Sequence, residues 1–361
     1  MENMIFNRNK INRLKEITKP KIGWFATNTP EEIIIAAGLH PFRITGEMAK
    51  GAGRDVDFMG RNVCSYARSC LDEGMSGIYD FVDGFIFSNP CDARIRIYDY
   101  WRLHLNPNYH FFLDMPKKID KASKMYFRMQ IHKMISSIEA QYNVVISNEK
   151  LLEAIKICNK TRMLIREINE MRKKGDISIS TNDLIDVVNE SWWEDKQVFN
   201  AKLEEYISIL KERSHGPTKG KKILISGSFL DNKSLIEMIE NSGSRIMCED
   251  ISNGLNYYNS TINESDDSVG NIVDFYYNKG LCYRMIDFDT TVNKIVRLVE
   301  EYDIDKMIFF TMSFCDKNLI NFPYVRKELI SHGIPVLLIE GERNMFSIEN
   351  LKTRIQTFIE V

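Results

Sequence analysis

The sequence predicts an α/β protein with two domains, each built on a short parallel sheet, and an extended helical segment between them in the chain. Three observations predict this. The length of 361 residues exceeds what a single core usually organises. Four short apolar segments alternate with helical patterns in the first third of the chain, and four more do so after residue 220, which is the order of parallel sheets joined by crossovers. Between the two sets, Lys121 to Arg213 reads as helix throughout, with interruptions near Tyr142–Ser147 and Gly175–Ser180.

Residues 1–20 are read as an N-terminal helical arm and 21–120 as the first α/β domain. Its first strand is Lys21–Ala26. Thr29 is expected to cap the next helix, with Pro30 at the first helical position, Glu32 completing a capping box and Gly38 as the stop. Pro41–Thr45 is the second strand, and Cys64–Met75 is helical. Asp83–Ser88 is apolar without alternation, as a strand covered on both faces should be. It runs through Asn89, Pro90 and Cys91 into a helix from Asp92 to about Leu103, whose Tyr98–Trp101 stretch is an apolar face. His110–Leu113 is the fourth strand.

Residues 121–214 form the helical segment, His215–Gly220 reads as a boundary loop, and 215–361 form the second α/β domain. Its strands are Lys222–Ser226, Arg245–Cys248, Met307–Thr311 and Pro335–Ile339. Helices fall at about Lys233–Asn241, Thr291–Tyr302 and Tyr324–His332.

Composition narrows the function. The apolar share of 44% and charged share of 27% are those of a soluble globular chain. With a formal charge of −2 and basic residues spread along the chain, nucleic acid is not the expected partner. The clusters Arg172–Lys174 and Lys219–Lys222 read as solvated surface. Met1 to Lys19 has no apolar signal core, and Ile33–Leu39 is far shorter than the roughly 20 residues of a membrane-spanning helix. A cytoplasmic location is expected, so the seven cysteines are not expected to form disulfides.

Ligands of open α/β sheets bind beyond the carboxyl ends of the strands. Cys91 follows one strand and precedes a helix, Cys315 follows another, and Cys64 opens a helix. Helix starts favour thiolates, the form that binds iron. The alternative is that all three are core thiols. Cys158 and Cys248 read as structural, Cys70 lies about 120° around the helix from Cys64, and Cys282 is ambiguous. No P-loop and no His-Glu-x-x-His zinc helix is present. Gly227-Ser228 is too little for a nucleotide fingerprint, and the six histidines do not cluster.

Four segments carry a family likeness: Thr29-Pro-Glu-Glu-Ile-Ile-Ile-Ala-Ala-Gly-Leu-His-Pro-Phe-Arg43, Cys64-Ser-Tyr-Ala-Arg-Ser-Cys-Leu71, Val82-Asp-Gly-Phe-Ile-Phe-Ser-Asn-Pro-Cys-Asp92, and Phe314-Cys-Asp316 with Gly333-Ile-Pro-Val-Leu-Leu-Ile-Glu340 and Thr353-Arg354. In these the chain resembles the subunits of 2-hydroxyacyl-CoA dehydratases and benzoyl-CoA reductases, and its length and ending resemble the smaller, beta-type subunit. The resemblance implies two Rossmann-like domains and a [4Fe–4S] cluster held by Cys64, Cys91 and Cys315, with the fourth iron free of protein thiolate. It implies a homologous second large subunit, an ATP-hydrolysing iron–sulfur activator and an acyl-CoA substrate. The implied reaction adds one electron to the thioester carbonyl of an (R)-2-hydroxyacyl-CoA. The ketyl radical expels hydroxide, the neighbouring hydrogen leaves as a proton, and the electron is recycled, leaving the 2-enoyl-CoA. A hydroxyl in the first loop of substrate-binding subunits would correspond to Thr27 or Thr29. The rival readings are an aryl-CoA reductase subunit and, in another class, a non-catalytic iron–sulfur carrier or binding protein on the same scaffold.

Overall fold

The computed structural model describes residues 9–49, 59–212, 220–279, 288–343 and 348–360. In chain order the elements are α1 (Lys10–Glu16), β1 (Lys21–Trp24), α2 (Glu31–Ala36), β2 (His40–Arg43), α3 (Ser65–Met75), β3 (Gly84–Ser88), α4 (Asp92–His104), β4 (Tyr109–Leu113), α5 (Lys121–Tyr142) and α6 (Asn148–Lys174). There follow α7 (Thr181–Glu190), α8 (Lys196–Lys211), β5 (Lys221–Gly227), α9 (Lys233–Asn241), β6 (Ser244–Asp250), α10 (Leu255–Tyr258), α11 (Ser268–Lys279), α12 (Phe288–Glu301), β7 (Lys306–Met312), α13 (Asp316–Ser331), β8 (Val336–Gly341) and α14 (Ile348–Glu360). They group into two compact units. The first holds Met1–Met163, Glu190–Lys202 and Ser260–Ile286, and the second holds Leu164–Asn189, Leu203–Asn259 and Asp287–Val361.

The first unit contains a four-stranded parallel sheet in the order β2-β1-β3-β4. Ile22 pairs with Pro41 on one side and Gly84 on the other, and Trp24 with Arg43 and Ile86. β3 is buried along its whole length, which is why its sequence is a continuous apolar run. On one side of the sheet lies an aromatic cluster around Trp101 of α4, fully buried and edge-on to Phe25 at 4.9 Å and Phe85 at 4.6 Å between ring centroids. Gly74 of α3 makes room for it, because a Cβ there would stand 2.3 Å from the indole ring. α11 joins this unit by packing on α5, where Phe127 stacks on Tyr277 and Lys124 pairs with Asp274 at 2.6 Å.

The second unit repeats the strand order as β6-β5-β7-β8, again parallel throughout. Gly227 ends β5 at φ +128°, and a Cβ there would stand 1.9 Å from the carbonyl oxygen of Phe310. Arg172 pairs with the buried carboxylate of Glu249 on β6 and donates to Thr181 Oγ1 at 2.7 Å.

The structure differs from the sequence reading at several points. Thr29 does not cap α2. Pro30 is the N-cap and makes no side-chain cap bond, and the Thr29 hydroxyl is buried without a hydrogen-bond partner among the described residues. Cys91 and Cys315 are themselves the N-caps of helices whose first residues are Asp92 and Asp316. The long helical stretch breaks a third time at residues 191–195. There Trp192 and Trp193 turn into the core, and Asp195 accepts from the Gln197 amide at 3.0 Å to start α8. α13 begins eight residues before the expected Tyr324. Pro323 lies inside it and lacks an amide to donate, but the buried face of Asn318, Phe322, Val325 and Leu329 carries the helix through. α10, α11 and α14 have no counterpart in the sequence reading. The loop at 215–219 and Cys282 lie outside the described residues.

Candidate functional site

In both sheets the connections from the first strand and from the third leave in opposite directions, so the order reverses between β1 and β3 and between β5 and β7. A crevice beyond the carboxyl ends of those strands is where such folds bind ligands. In the first unit this end carries the loop after β1, with Thr27 and Thr29, and the loop after β3, with Cys91. In the second it carries the loop after β7, with Cys315.

Three cysteines share one local arrangement. Cys64 is the N-cap of α3, Cys91 of α4 and Cys315 of α13, and in none does the thiol bond a helix amide. All three are half-buried and outside any disulfide, whereas Cys70, Cys158 and Cys248 are fully buried. Free amides at a helix start stabilise a thiolate. By contrast, burial and the neighbouring Glu32 and Glu31 push the Cys158 thiol well up, and burial with Glu249 and Asp250 does the same to Cys248. Those two stay protonated and inert.

The loops that carry the thiols are fixed by buried polar side chains. Ser88 Oγ donates to Asn28 Oδ1 at 3.0 Å, and Asn89 Oδ1 accepts from the Met115 amide at 2.8 Å. In the second unit Asn318 donates to Ser228 Oγ at 2.8 Å, and Ser228 Oγ accepts from the Met312 amide at 3.3 Å. Cys315 is preceded by Phe314, which is 52% exposed and held at φ +62°, a region that bulky side chains rarely adopt.

Arg94, three residues beyond Cys91, donates to the Phe25 carbonyl at the end of β1 at 3.0 Å and lies 5.0 Å over the ring of Tyr66. Tyr66, two residues beyond Cys64, donates to the Ile44 carbonyl at 3.2 Å. Burial acts to lower the Arg94 pKa, but Tyr66 and the thiols of Cys91, Cys70 and Cys64 outweigh it and the value ends raised. Sequence reasoning missed Arg94. The available signal was its spacing, one helical turn past a cysteine at a helix start.

Thr27 is half-buried and Thr29 buried, and the two glutamates that follow are not a cap. Glu32 pairs with Arg162 at 2.5 Å and accepts from Tyr276 at 2.8 Å, and Glu31 pairs with Lys196 at 3.0 Å. With Cys158 these carboxylates have metal-ligand spacing. A cation there would have to displace Arg162 and Lys196, and the thiol is protonated, so the cluster reads as a buried ion network. Two cavities, of about 290 Å3 beside His40 and about 450 Å3 beside Ser244, open where β2 and β6 begin, at the ends of the sheets away from the cysteine loops.

The described residues thus form two parallel α/β units, each with a helix-capping cysteine just beyond the carboxyl end of a strand. The family described as 2-hydroxyglutaryl-CoA dehydratase, D-component, matches residues 26–361, and the chain belongs to it. It is 24% identical to the (R)-phenyllactyl-CoA dehydratase beta subunit of Clostridium sporogenes, over 96% of this chain and 93% of the relative. It is 23% identical to the beta subunit of the (R)-2-hydroxyglutaryl-CoA dehydratase of Acidaminococcus fermentans, over 95% and 92%. To a subunit of the benzoyl-CoA reductase of Thauera aromatica it is 22% identical, over 94% and 90%. Among the described residues no helix is long and apolar enough to cross a membrane.

Proposed function

We propose that the chain is the beta-type subunit of a cytoplasmic 2-hydroxyacyl-CoA dehydratase, with Cys64, Cys91 and Cys315 as the protein ligands of one [4Fe–4S] cluster. The observation that carries this reading is the shared placement of the three half-buried thiols at helix starts, in a chain of this family. The donor set fits the group, since iron–sulfur clusters take cysteine sulfur and these three thiols are half-buried at helix starts, whereas Cys70, Cys158 and Cys248 are fully buried. When bound, the cluster supplies single electrons at low potential. The rest falls to the protein. The Asn28–Ser88, Asn89–Met115 and Ser228–Asn318 hydrogen bonds hold the loops rigid, so the thiols need not reorganise. Thr27, the more accessible of the two threonines, is the candidate hydroxyl for orienting a thioester carbonyl. The partners in this reading are a homologous large subunit, an ATP-hydrolysing iron–sulfur activator and an acyl-CoA.

The likeness to a benzoyl-CoA reductase subunit supports a second reading, a subunit of an aryl-CoA reductase. One experiment tests the common part. The protein is purified without oxygen, and iron, acid-labile sulfide and the visible spectrum are measured for the native chain and for Cys64→Ser, Cys91→Ser, Cys315→Ser and Cys70→Ser. Expected are about four irons and four sulfides per native chain, lost in the first three variants and kept in the fourth. A folded native protein that stays colourless and iron-free after reconstitution overturns it. Electron counting with partner and activator then separates the readings: a dehydratase recycles its electron, and a reductase consumes two per turnover.

A further inference from the structure

Arg94 is placed where two cysteine-bearing helix starts and the end of β1 meet. It sits in the first turn of α4, which Cys91 caps, and its guanidinium is fixed on one side by the Phe25 carbonyl at 3.0 Å. On the other side it lies over Tyr66, in the first turn of the helix that Cys64 caps. Tyr66 is itself buried and tied to the Ile44 carbonyl, so the cation has little freedom to swing away. Among the described residues no carboxylate pairs with Arg94. The Tyr66 phenol and the thiols of Cys91, Cys70 and Cys64 lie around it, and together they outweigh the effect of its burial.

We propose that Arg94 is a positioning residue that sets the reduction potential at the thiols of Cys64 and Cys91, by holding a fixed positive charge beside them. The inference rests on the reading of Cys64, Cys91 and Cys315 as cluster ligands. The physical reason is direct. A guanidinium does not lose its proton at any working pH. Reduction adds one negative charge to whatever the thiolates hold, and a nearby cation in a poorly solvated place favours the reduced form. Removing the cation therefore lowers the potential. Arg96, on the same helix but 63% exposed and paired with Asp99, offers the control.

The test uses the full chain, reconstituted without oxygen with iron and sulfide, and follows the reduced cluster by electron paramagnetic resonance in a potentiometric titration. Arg94→Met is expected to shift the reduced-to-oxidised ratio at fixed potential about tenfold towards oxidised, which is about 59 mV for a one-electron couple. Iron content should be unchanged, Arg94→Lys should stay within about threefold of the native ratio, and Arg96→Met should match native. Equal iron and equal potentials in native and Arg94→Met protein would overturn the inference and leave the ligand assignment standing. Loss of iron from both Arg94 variants would also overturn it, and make Arg94 a residue of cluster retention. A native chain that takes up no iron overturns the ligand assignment itself, and the inference with it.

Discussion

Cys91 and Cys315 hold the same place in two different sheets. Each lies three residues past the last residue of a strand, Ser88 and Met312, and each caps a helix whose first residue is aspartate. The two strands, β3 and β7, hold the same third position in the strand order of their sheets. In each unit the loop after the first strand braces the thiol's own segment through a polar side chain, Asn28 to Ser88 in one and Ser228 to Asn318 in the other. One local device is thus built twice.

Gly227 is where β5 can approach β7. A methyl group there would overlap the Phe310 carbonyl and would sit on a backbone at φ +128°. Gly227→Ala is expected to cost more than about 3 kcal/mol. Urea unfolding of the purified chain, or its loss from the soluble fraction, measures this.

Phe314 carries a steric cost of about 1–2 kcal/mol for its left-handed conformation and leaves its ring in solvent. Phe314→Gly is expected to raise stability by up to about 1 kcal/mol once the freer unfolded chain is counted. A melting curve of the iron-free protein that moves down would sink this account.

Glu32 and Arg162 are fully buried partners, with Tyr276 closing the pair. Glu32→Ala removes the nearer carboxylate of a buried guanidinium and leaves Glu31 3.8 Å from it, with an expected loss of about 3 kcal/mol. Joined with Arg162→Met, much of that loss should return. Additive losses in the double variant would show that the pair is not coupled.

His40 is buried, and burial pulls its pKa down to about 4 despite the Trp193 carbonyl 3.1 Å away and the nearby Asp195; Lys19 and Lys196 also act to lower it. The folded state therefore keeps it neutral. Above pH of about 6.5 both states are neutral and stability is unaffected. As pH falls from there to about 4, the unfolded chain takes up a proton that the folded chain refuses, and stability drops by about 3 kcal/mol in all. His40→Gln should flatten that part of the stability–pH curve.

The eight strands were legible because buried parallel strands are continuous apolar runs, as β3 and β7 are. The Cys91 and Cys315 loops could be placed for the same reason, each following such a run. What local pattern could not supply is tertiary partners. Thr29 and Glu32 have the spacing of a capping box, yet Glu32 answers to Tyr276, 244 residues away. Trp192 and Trp193 suit a helix as well as a core, so the break before α8 was invisible. The expected helix start at Tyr324 fell eight residues late, because the burial that carries α13 through Pro323 is a property of the folded unit. Arg94 went unread, since nothing in its neighbourhood of sequence tells that Tyr66 and Phe25 lie against it.

The same Tyr276–Glu32 bond bears on how the chain is made. The first unit needs Ser260–Ile286, so a nascent chain that has emerged only as far as residue 259 holds Glu32 and Arg162 without the phenol that closes over them, and α5 without α11. The four strands of the N-terminal sheet are all translated by Leu113, but α5 stays without α11 while α9 and β6 are translated. A helper that shields the exposed side of α5 during that interval would act on an intermediate that the order of synthesis makes unavoidable.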